Sequence, residues 1–150
     1  MLQEVTRPYS AAQLGPSLAS NGTEALNHAH KNFLHFLDLA VSRDAFIFSS
    51  VLVTDVLQNI YLHRDTHAPE FPEYAVSEQT FDFVLCSKRD LSVLAILCLD
   101  DRKPQHRDGY KDDNHLQLCR TIKLPYMQIE AHCGYPLEQM QSLLRPYLKY

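Results

Sequence analysis

The 150-residue sequence has no apolar run long enough to cross a membrane, and neither end carries a signal-peptide pattern. This lack predicts no membrane association and a cytoplasmic location. Hydrophobic residues make up 45% of the chain and charged residues 21%, as in ordinary globular proteins. A chain of this length is expected to bury a core that needs no disulfide or metal to fold.

Net positive charge is also missing, because 14 Lys and Arg residues face 18 Asp and Glu residues and leave a formal charge of −4. Strong, sequence-independent binding to a phosphate backbone generally needs a basic face, so this balance argues against it. Local basic patches remain candidates, in the turn at Lys88 and Arg89 and in the segment that follows Asp101. The alternative interpretation is that these residues are solvated charges on turns.

Paired cysteines are absent as well. The four cysteines, Cys86, Cys98, Cys119 and Cys133, show no CxxC spacing. Two of them lie inside apolar stretches, which is typical of buried thiols in a reducing compartment. A zinc site built from His132, Cys133 and distant partners is the less favoured alternative, because the paired ligand spacing is missing.

The first half of the chain predicts an arm followed by a helix, a strand and a short helix. Residues 1–22 show no sustained period and are expected to form an N-terminal arm, leaving 23–150 as one domain. Apolar spacing predicts a helix from an N-cap at Thr23 to about Val41, a buried strand over 45–53, and a short helix through Ile60. The stretch from His63 to Gln79 is expected to be a loop, either functional or an ordered surface crossing.

The second half predicts two adjacent strands, a crossover helix, a further strand and a last helix. The strands span 80–86 and 92–100, the helix runs from about Tyr110 to Ile122, the next strand covers 126–131, and the last helix begins near Pro136 and ends or bends at Pro146. Because the adjacent strands are nearly continuous in apolar residues, we expect them to be central and covered on both faces. The crossover should return the chain parallel to the second strand. The predicted fold class is α/β, with a mixed central sheet flanked by helices.

Carboxylates lie within this otherwise apolar hairpin. Side chains alternate along a strand, so Asp82 shares a face with Cys86, and Asp100 shares a face with Cys98. If the two faces coincide, Asp82 and Asp100 approach each other, as acids do in metal-dependent nucleases. The alternative for Asp82 is a structural ion pair with Lys111 or Arg107, because a buried acid is costly unless it is paired or hydrated.

The element order, together with a set of short motifs, resembles a bacterial family of uncharacterised domains grouped with the PD-(D/E)XK restriction-endonuclease-like superfamily. The motifs are Phe-Asp-Phe-Val-Leu at 81–85, Leu-Asp-Asp at 99–101, His106, Lys-Asp at 111–112 and Leu-Pro at 124–125. The resemblance extends from about Ala25 to Ala131. It implies a restriction-endonuclease-like fold and a site for magnesium or manganese, whose hard charge suits oxygen ligands.

The resemblance also implies roles for individual residues. The metal set would be the Asp82 carboxylate, the Leu99 carbonyl and Asp100, which occupies the usual lysine position. Cys98 falls where the second acid is expected, and a buried, mostly protonated thiol replaces a carboxylate poorly for magnesium. His30, on the first helix, is a candidate ligand or base, although a histidine on such a helix is more often packed or solvated.

The same resemblance implies candidate contacts to nucleic acid beyond the second strand. His106 is a candidate for catalysis and for phosphate contact, and the full contact set is Arg102, Lys103, His106, Arg107 and Lys111. The alternative for His106 and Lys111 is bonding to the backbone near the loop and helix start.

Cys98 leads to three hypotheses. The first is a nuclease-fold domain with a degenerate metal site, which binds nucleic acid or a DNA-processing partner rather than cutting efficiently. The second is an active phosphodiesterase in which Asp82 and Asp100 hold the ion and His30 or His106 acts as base. The third is a protein-interaction or oligomerisation domain, consistent with the acidic balance and with tyrosines near the end of the sequence: Tyr126, Tyr135, Tyr147 and Tyr150.

Overall fold

The computed structural model describes residues 24–64 and 79–148. The predicted arm, the Thr23 cap, most of the predicted loop between His63 and Gln79, and Tyr150 lie outside these residues. The elements follow the predicted order: helix α1 (Glu24–Val41), strand β1 (Ala45–Leu52), helix α2 (Val53–Arg64), strands β2 (Thr80–Ser87) and β3 (Val93–Asp100), helix α3 (Asp113–Thr121), strand β4 (Tyr126–Glu130) and helix α4 (Leu137–Leu144). Short 3-10 turns lie at Pro104–His106 and Arg145–Tyr147.

The four strands form one mixed sheet in the order β1-β2-β3-β4. The first two pairings are antiparallel, and β4 runs parallel to β3, with Cys98 beside Gln128 and Asp100 beside Glu130. Helix α3 makes the crossover between the two parallel strands. The predicted parallel return and the α/β class with a mixed sheet are therefore confirmed.

Both faces of the sheet are covered, because β2 and β3 are apolar at nearly every position. On one face Phe83 and Leu97 pack against α1 and α4, where Leu37 and Leu144 are fully buried. On the opposite face Ile96 packs against α2 and α3 through a second set of buried residues: Val56, Ile60, Leu118 and Cys119. The prediction of two central strands covered on both faces is confirmed.

Helix α2 continues through His63 and Arg64, where a loop was expected. The reason is that both side chains are anchored to other parts of the fold. The Arg64 guanidinium donates to the carbonyls of Ile122 and Lys123, which follow α3. These contacts extend α2 by one turn and connect it to the crossover helix.

Helix α3 begins at Asp113 rather than at Tyr110. The Asp112 carboxylate accepts the backbone N–H of His115 at 3.0 Å and so caps the helix at this point. The predicted end of the last helix near Pro146 is confirmed, because α4 gives way to the 3-10 turn that contains this proline. A side-chain cap therefore sets the start of α3, and a proline marks the end of α4; apolar spacing alone did not fix the start of α3.

We predict a pH-dependent contribution to stability from His63. Its Nδ1 lies 2.9 Å from the Asn59 carbonyl and its Nε2 lies 2.8 Å from the Asp90 carbonyl, so both nitrogens act as donors only in the protonated ring. These two hydrogen bonds raise the pKa of His63 above its ordinary 6.5. The stabilisation is complete below about pH 6.5 and is lost as pH rises through the folded-state pKa.

The measurement is the urea midpoint of unfolding at about pH 5.5 and at about pH 8, values on either side of the ordinary histidine pKa. The natural protein should lose more of its midpoint between the two pH values than His63→Ala does. His28→Ala, at an exposed position of α1, is the matched control and should behave as the natural protein. Equal pH dependence in His63→Ala and the natural protein would contradict the assignment.

Candidate functional site

The Asp82 carboxylate lies between β2, β3 and α1. The β2–β3 ladder pairs Phe83 with Leu97, and beyond this pair the Asp82 side chain accepts the Leu99 N–H at 2.9 Å. His30 of α1 places its Nε2 at 3.6 Å from the other Asp82 oxygen and stacks its ring on Phe83. One carboxylate therefore ties together three elements at the end of the hairpin.

Asp82 remains ionised in this position. Burial by itself would raise the pKa of Asp82, but the hydrogen bonds from His30 and from the Leu99 N–H, with the charge of Lys111, lower it below its ordinary value. Two interpretations of His30 were considered, a packed helix residue and a residue of the candidate site. The structure shows both features, because His30 packs on Phe83 and contacts Asp82.

The Lys111 ammonium binds the carbonyl of the same residue, Leu99, and lines the same cavity as Asp82. It donates to the Leu99 carbonyl at 3.1 Å and to Asp101 Oδ1 at 2.7 Å. Partial burial would lower the pKa of Lys111, but the hydrogen bond and charge of Asp101, with the charge of Asp82, raise it above its ordinary value. The carbonyl that the resemblance assigns to a metal ion is therefore bonded to a permanent positive charge.

Asp100 belongs to a different hydrogen-bond set. Arg102 donates to both oxygens of this buried carboxylate, from Nε at 2.8 Å and from Nη2 at 2.9 Å. Gln128 adds a third hydrogen bond at 3.2 Å, and the Arg102 N–H adds a fourth at 3.1 Å. These contacts, led by the Arg102 side chain, lower the pKa of Asp100. Its oxygens are occupied by internal donors.

The predicted metal set of Asp82, Leu99 and Asp100 stays a prediction. Asp100 lies on the Cys98 face, as alternation requires, but the guanidinium fork of Arg102 holds it in a set separate from that of Asp82. Among the side chains that the structure describes, in residues 28–64 and 79–148, no group of three or more His, Cys, Asp or Glu is placed to hold a metal ion.

Cys98 lies beside Asp82 and lines a cavity of about 120 Å³. Burial raises the pKa of the Cys98 thiol to about 11, so the thiol is neutral at physiological pH. Magnesium requires hard, charged oxygen ligands, and a neutral sulfur in the second-acid position does not meet this requirement. The donor set of this site therefore does not fit a magnesium ion.

The cavity is closed by groups that belong to α3 and β4. The Tyr126 hydroxyl is buried beside the Cys98 thiol. Within the described part of the chain, it has no nitrogen or oxygen atom as a hydrogen-bond partner. His115 contacts the Asp112 carboxylate through Nδ1 at 3.1 Å and Gln79 Oε1 through Nε2 at 3.1 Å. The remaining wall is formed by Thr80, Phe81, Ile96, Leu97 and Lys111, with Asp82 at the edge of the hairpin.

Sequence reasoning missed Asp101, Asp112, His115 and Tyr126. Asp101 follows the last residue of β3, where strand alternation no longer predicts a direction. Asp112 is of a residue type favoured at helix N-caps, and this preference was the available signal for its position. Tyr126 was interpreted as an interface candidate, but it lines the cavity. Tyr135 is buried in the core and Tyr147 packs against it, so these three tyrosines do not form an exposed surface.

The predicted nucleic-acid contacts divide into paired and exposed side chains. Arg102 pairs with Asp100, and Lys111 pairs with Asp101. Arg107 lies 3.5 Å from Glu130 and donates to the Arg102 carbonyl at 2.8 Å. Lys103 and His106 are exposed in the segment between β3 and α3, and His106 does not line the cavity. The alternative zinc ligands His132 and Cys133 are both exposed.

The sequence profile of a family described as "Protein of unknown function (DUF2726)" matches residues 23–146. The chain belongs to this family. The DUF2726 match covers all the strands and helices that form the site, from α1 to α4. No curated protein and no solved structure matches the chain. Within the described residues of this DUF2726 protein, no helix is long and apolar enough to cross a membrane.

We predict that Asp100→Asn destabilises the domain by about 2 kcal/mol at neutral pH, because charge-assisted hydrogen bonds to a buried group are lost. The lowered pKa of Asp100 means that its stabilisation is present above the ordinary value of 3.8 and is lost as pH falls through the folded-state pKa. The variant should therefore lose less stability than the natural protein when the pH is lowered from about 5 to about 2.

Urea unfolding followed by circular dichroism at several pH values measures both effects. Asp38→Asn, at an exposed position of α1, is the control and should retain the natural acid dependence. An Asp100→Asn protein with natural stability at neutral pH would show that the Arg102 fork contributes nothing to the fold.

Proposed function

We propose that this chain is a restriction-endonuclease-like domain that has lost metal-dependent cleavage and binds nucleic acid without cutting it. The observation that carries the proposal is the neutral Cys98 thiol beside Asp82, at the position where the resemblance expects a second charged acid. The mixed α/β sheet and the position of Asp82 at the end of its hairpin support the nuclease-like ancestry.

Loss of cleavage follows from the charge that remains near Asp82. A magnesium-dependent phosphodiesterase needs an ion to polarise the phosphate and to activate water. Here Asp100 is neutralised by Arg102, Cys98 is uncharged, and the Leu99 carbonyl is bonded to Lys111. Of the three predicted ligands, Asp82 is then the one carboxylate that is not paired with an arginine, and it leaves most of the magnesium coordination to water and substrate.

The proposed nucleic-acid surface is the segment between β3 and α3. Arg102 and Arg107 hold this segment to β3 and β4 through ion pairs and backbone hydrogen bonds. Lys103 and His106 are then exposed on a fixed backbone, near the 3-10 turn at Pro104–His106. With so few exposed basic groups, binding should be modest, and phosphate contacts should dominate it.

Fluorescence anisotropy with short labelled DNA and RNA, single- and double-stranded, tests the binding. With one or two phosphate contacts, the affinity should fall roughly three- to tenfold between about 50 and 200 mM salt. The double variant Lys103→Ala/His106→Ala should abolish this binding, whereas Lys31→Ala, an exposed position on α1, should retain it. Binding that is absent from the natural protein, or unchanged in the double variant, would refute the proposed surface.

Cleavage assays on the same substrates with magnesium or manganese test the loss of activity. The natural protein should leave all substrates intact, and calorimetry should detect no specific magnesium binding. Cys98→Glu adds the missing acid and should raise magnesium affinity, although cleavage need not return. Efficient cleavage by the natural protein that Asp82→Ala abolishes would establish the active phosphodiesterase instead.

A further inference from the structure

Two oxygen atoms bind the Lys111 ammonium, and the Asp82 carboxylate lines the same cavity. Asp101 Oδ1 and the Leu99 carbonyl accept hydrogen bonds at 2.7 and 3.1 Å, and the Asp82 carboxylate is close enough to act on Lys111 electrostatically. Asp101 has 11% of its side chain exposed and Lys111 has 30%, so water screens this cluster less than it screens a surface pair. The ammonium is therefore bonded to oxygens of Leu99 and Asp101 and lies near the negative charge of Asp82.

The cluster is held in place from several directions. Leu99 donates its N–H to Asp82 and accepts a hydrogen bond from Lys111 at its carbonyl. One residue of β3 therefore positions both of these side chains. The backbone N–H of Lys111 donates to Gln128 Oε1 of β4 at 2.6 Å, which fixes the start of the lysine side chain. The ammonium is positioned by the fold before any ligand arrives.

We propose that Lys111 is the built-in cation of this site, and that Asp101, Leu99 and Asp82 form a latent cation site exposed only when the ammonium is removed. Asp101, rather than Asp100, is the acid of this site beside Asp82. The natural domain consequently needs no external cation at this position. This inference does not depend on nucleic-acid binding.

The rival explanation is an ordinary ion pair between Lys111 and Asp101. Loss of an ordinary pair lowers stability but creates no preference for the kind of cation that is added afterwards. A latent cation site, in contrast, should prefer small cations that can donate hydrogen bonds or accept oxygen ligands. The two explanations therefore differ in a measurable way.

The test is thermal unfolding of Lys111→Ala at constant ionic strength. Removal of the ammonium should lower Tm by roughly 3–6 °C for a domain of this size. Ethylammonium or manganese should recover at least half of this loss, because each can occupy the vacated position and stabilise the folded state by binding to it. Tetramethylammonium has the same charge as ethylammonium but no N–H donor, and it should recover none.

Two further variants assign the ligands. In Lys111→Ala/Asp101→Asn the recovery by ethylammonium and manganese should disappear, whereas Lys111→Ala/Asp100→Asn should keep it. Lys103→Ala, which removes a neighbouring exposed lysine, should show neither the loss of Tm nor the response to cations. Lys111→Arg retains a permanent cation, so it should fold without any dependence on added cations even if Lys111→Ala is poorly folded.

The inference is overturned if all cations act equally on Lys111→Ala, if none acts, or if the Asp101→Asn change leaves the recovery intact. A natural protein whose Tm rises specifically with manganese would overturn it as well. None of these results bears on nucleic-acid binding by Lys103 and His106, so failure of this inference and failure of the proposed function are distinguishable.

Discussion

Leu99, the second-last residue of β3, provides the two peptide groups that position the charged side chains at this end of the hairpin. Its N–H binds Asp82 of β2, and its carbonyl binds Lys111 of the segment that enters α3. Because Leu99 pairs with Ile129 in the parallel ladder between β3 and β4, these two groups have fixed positions. The ion pairs around them are consequences of this geometry, and they neutralise acids that would otherwise be costly to bury.

Charge balance at this end of the sheet explains why an acidic domain places so many basic residues in one short segment. Arg102, Arg107 and Lys111 each face a carboxylate of their own, namely Asp100, Glu130 and Asp101. These three basic residues are held by ion pairs within the fold, whereas Lys103 and His106 of the same segment are exposed. The net charge of the chain therefore does not reveal that three basic residues of this segment are each paired with a carboxylate.

Much of the fold was predictable, because apolar periodicity and strand continuity reflect burial directly. The central position of β2 and β3 and the parallel return to β4 follow from that pattern. Helix ends were less predictable, since the anchoring of Arg64 and the Asp112 cap depend on contacts and local chemistry that periodicity does not encode. The surroundings of Asp100 illustrate the same limit: alternation predicts the sheet face on which Asp100 lies, but it does not reveal that Arg102 donates to both carboxylate oxygens.

Internal basic side chains, rather than a bound divalent cation, bind the acids at the end of β3. Amide NMR spectra of the natural protein during a titration with manganese test it most directly, because this paramagnetic ion broadens nearby resonances selectively. We expect weak broadening spread over exposed acidic positions. Strong broadening at low manganese concentration, confined to the amides of Asp82, Leu99 and Asp101, would contradict it.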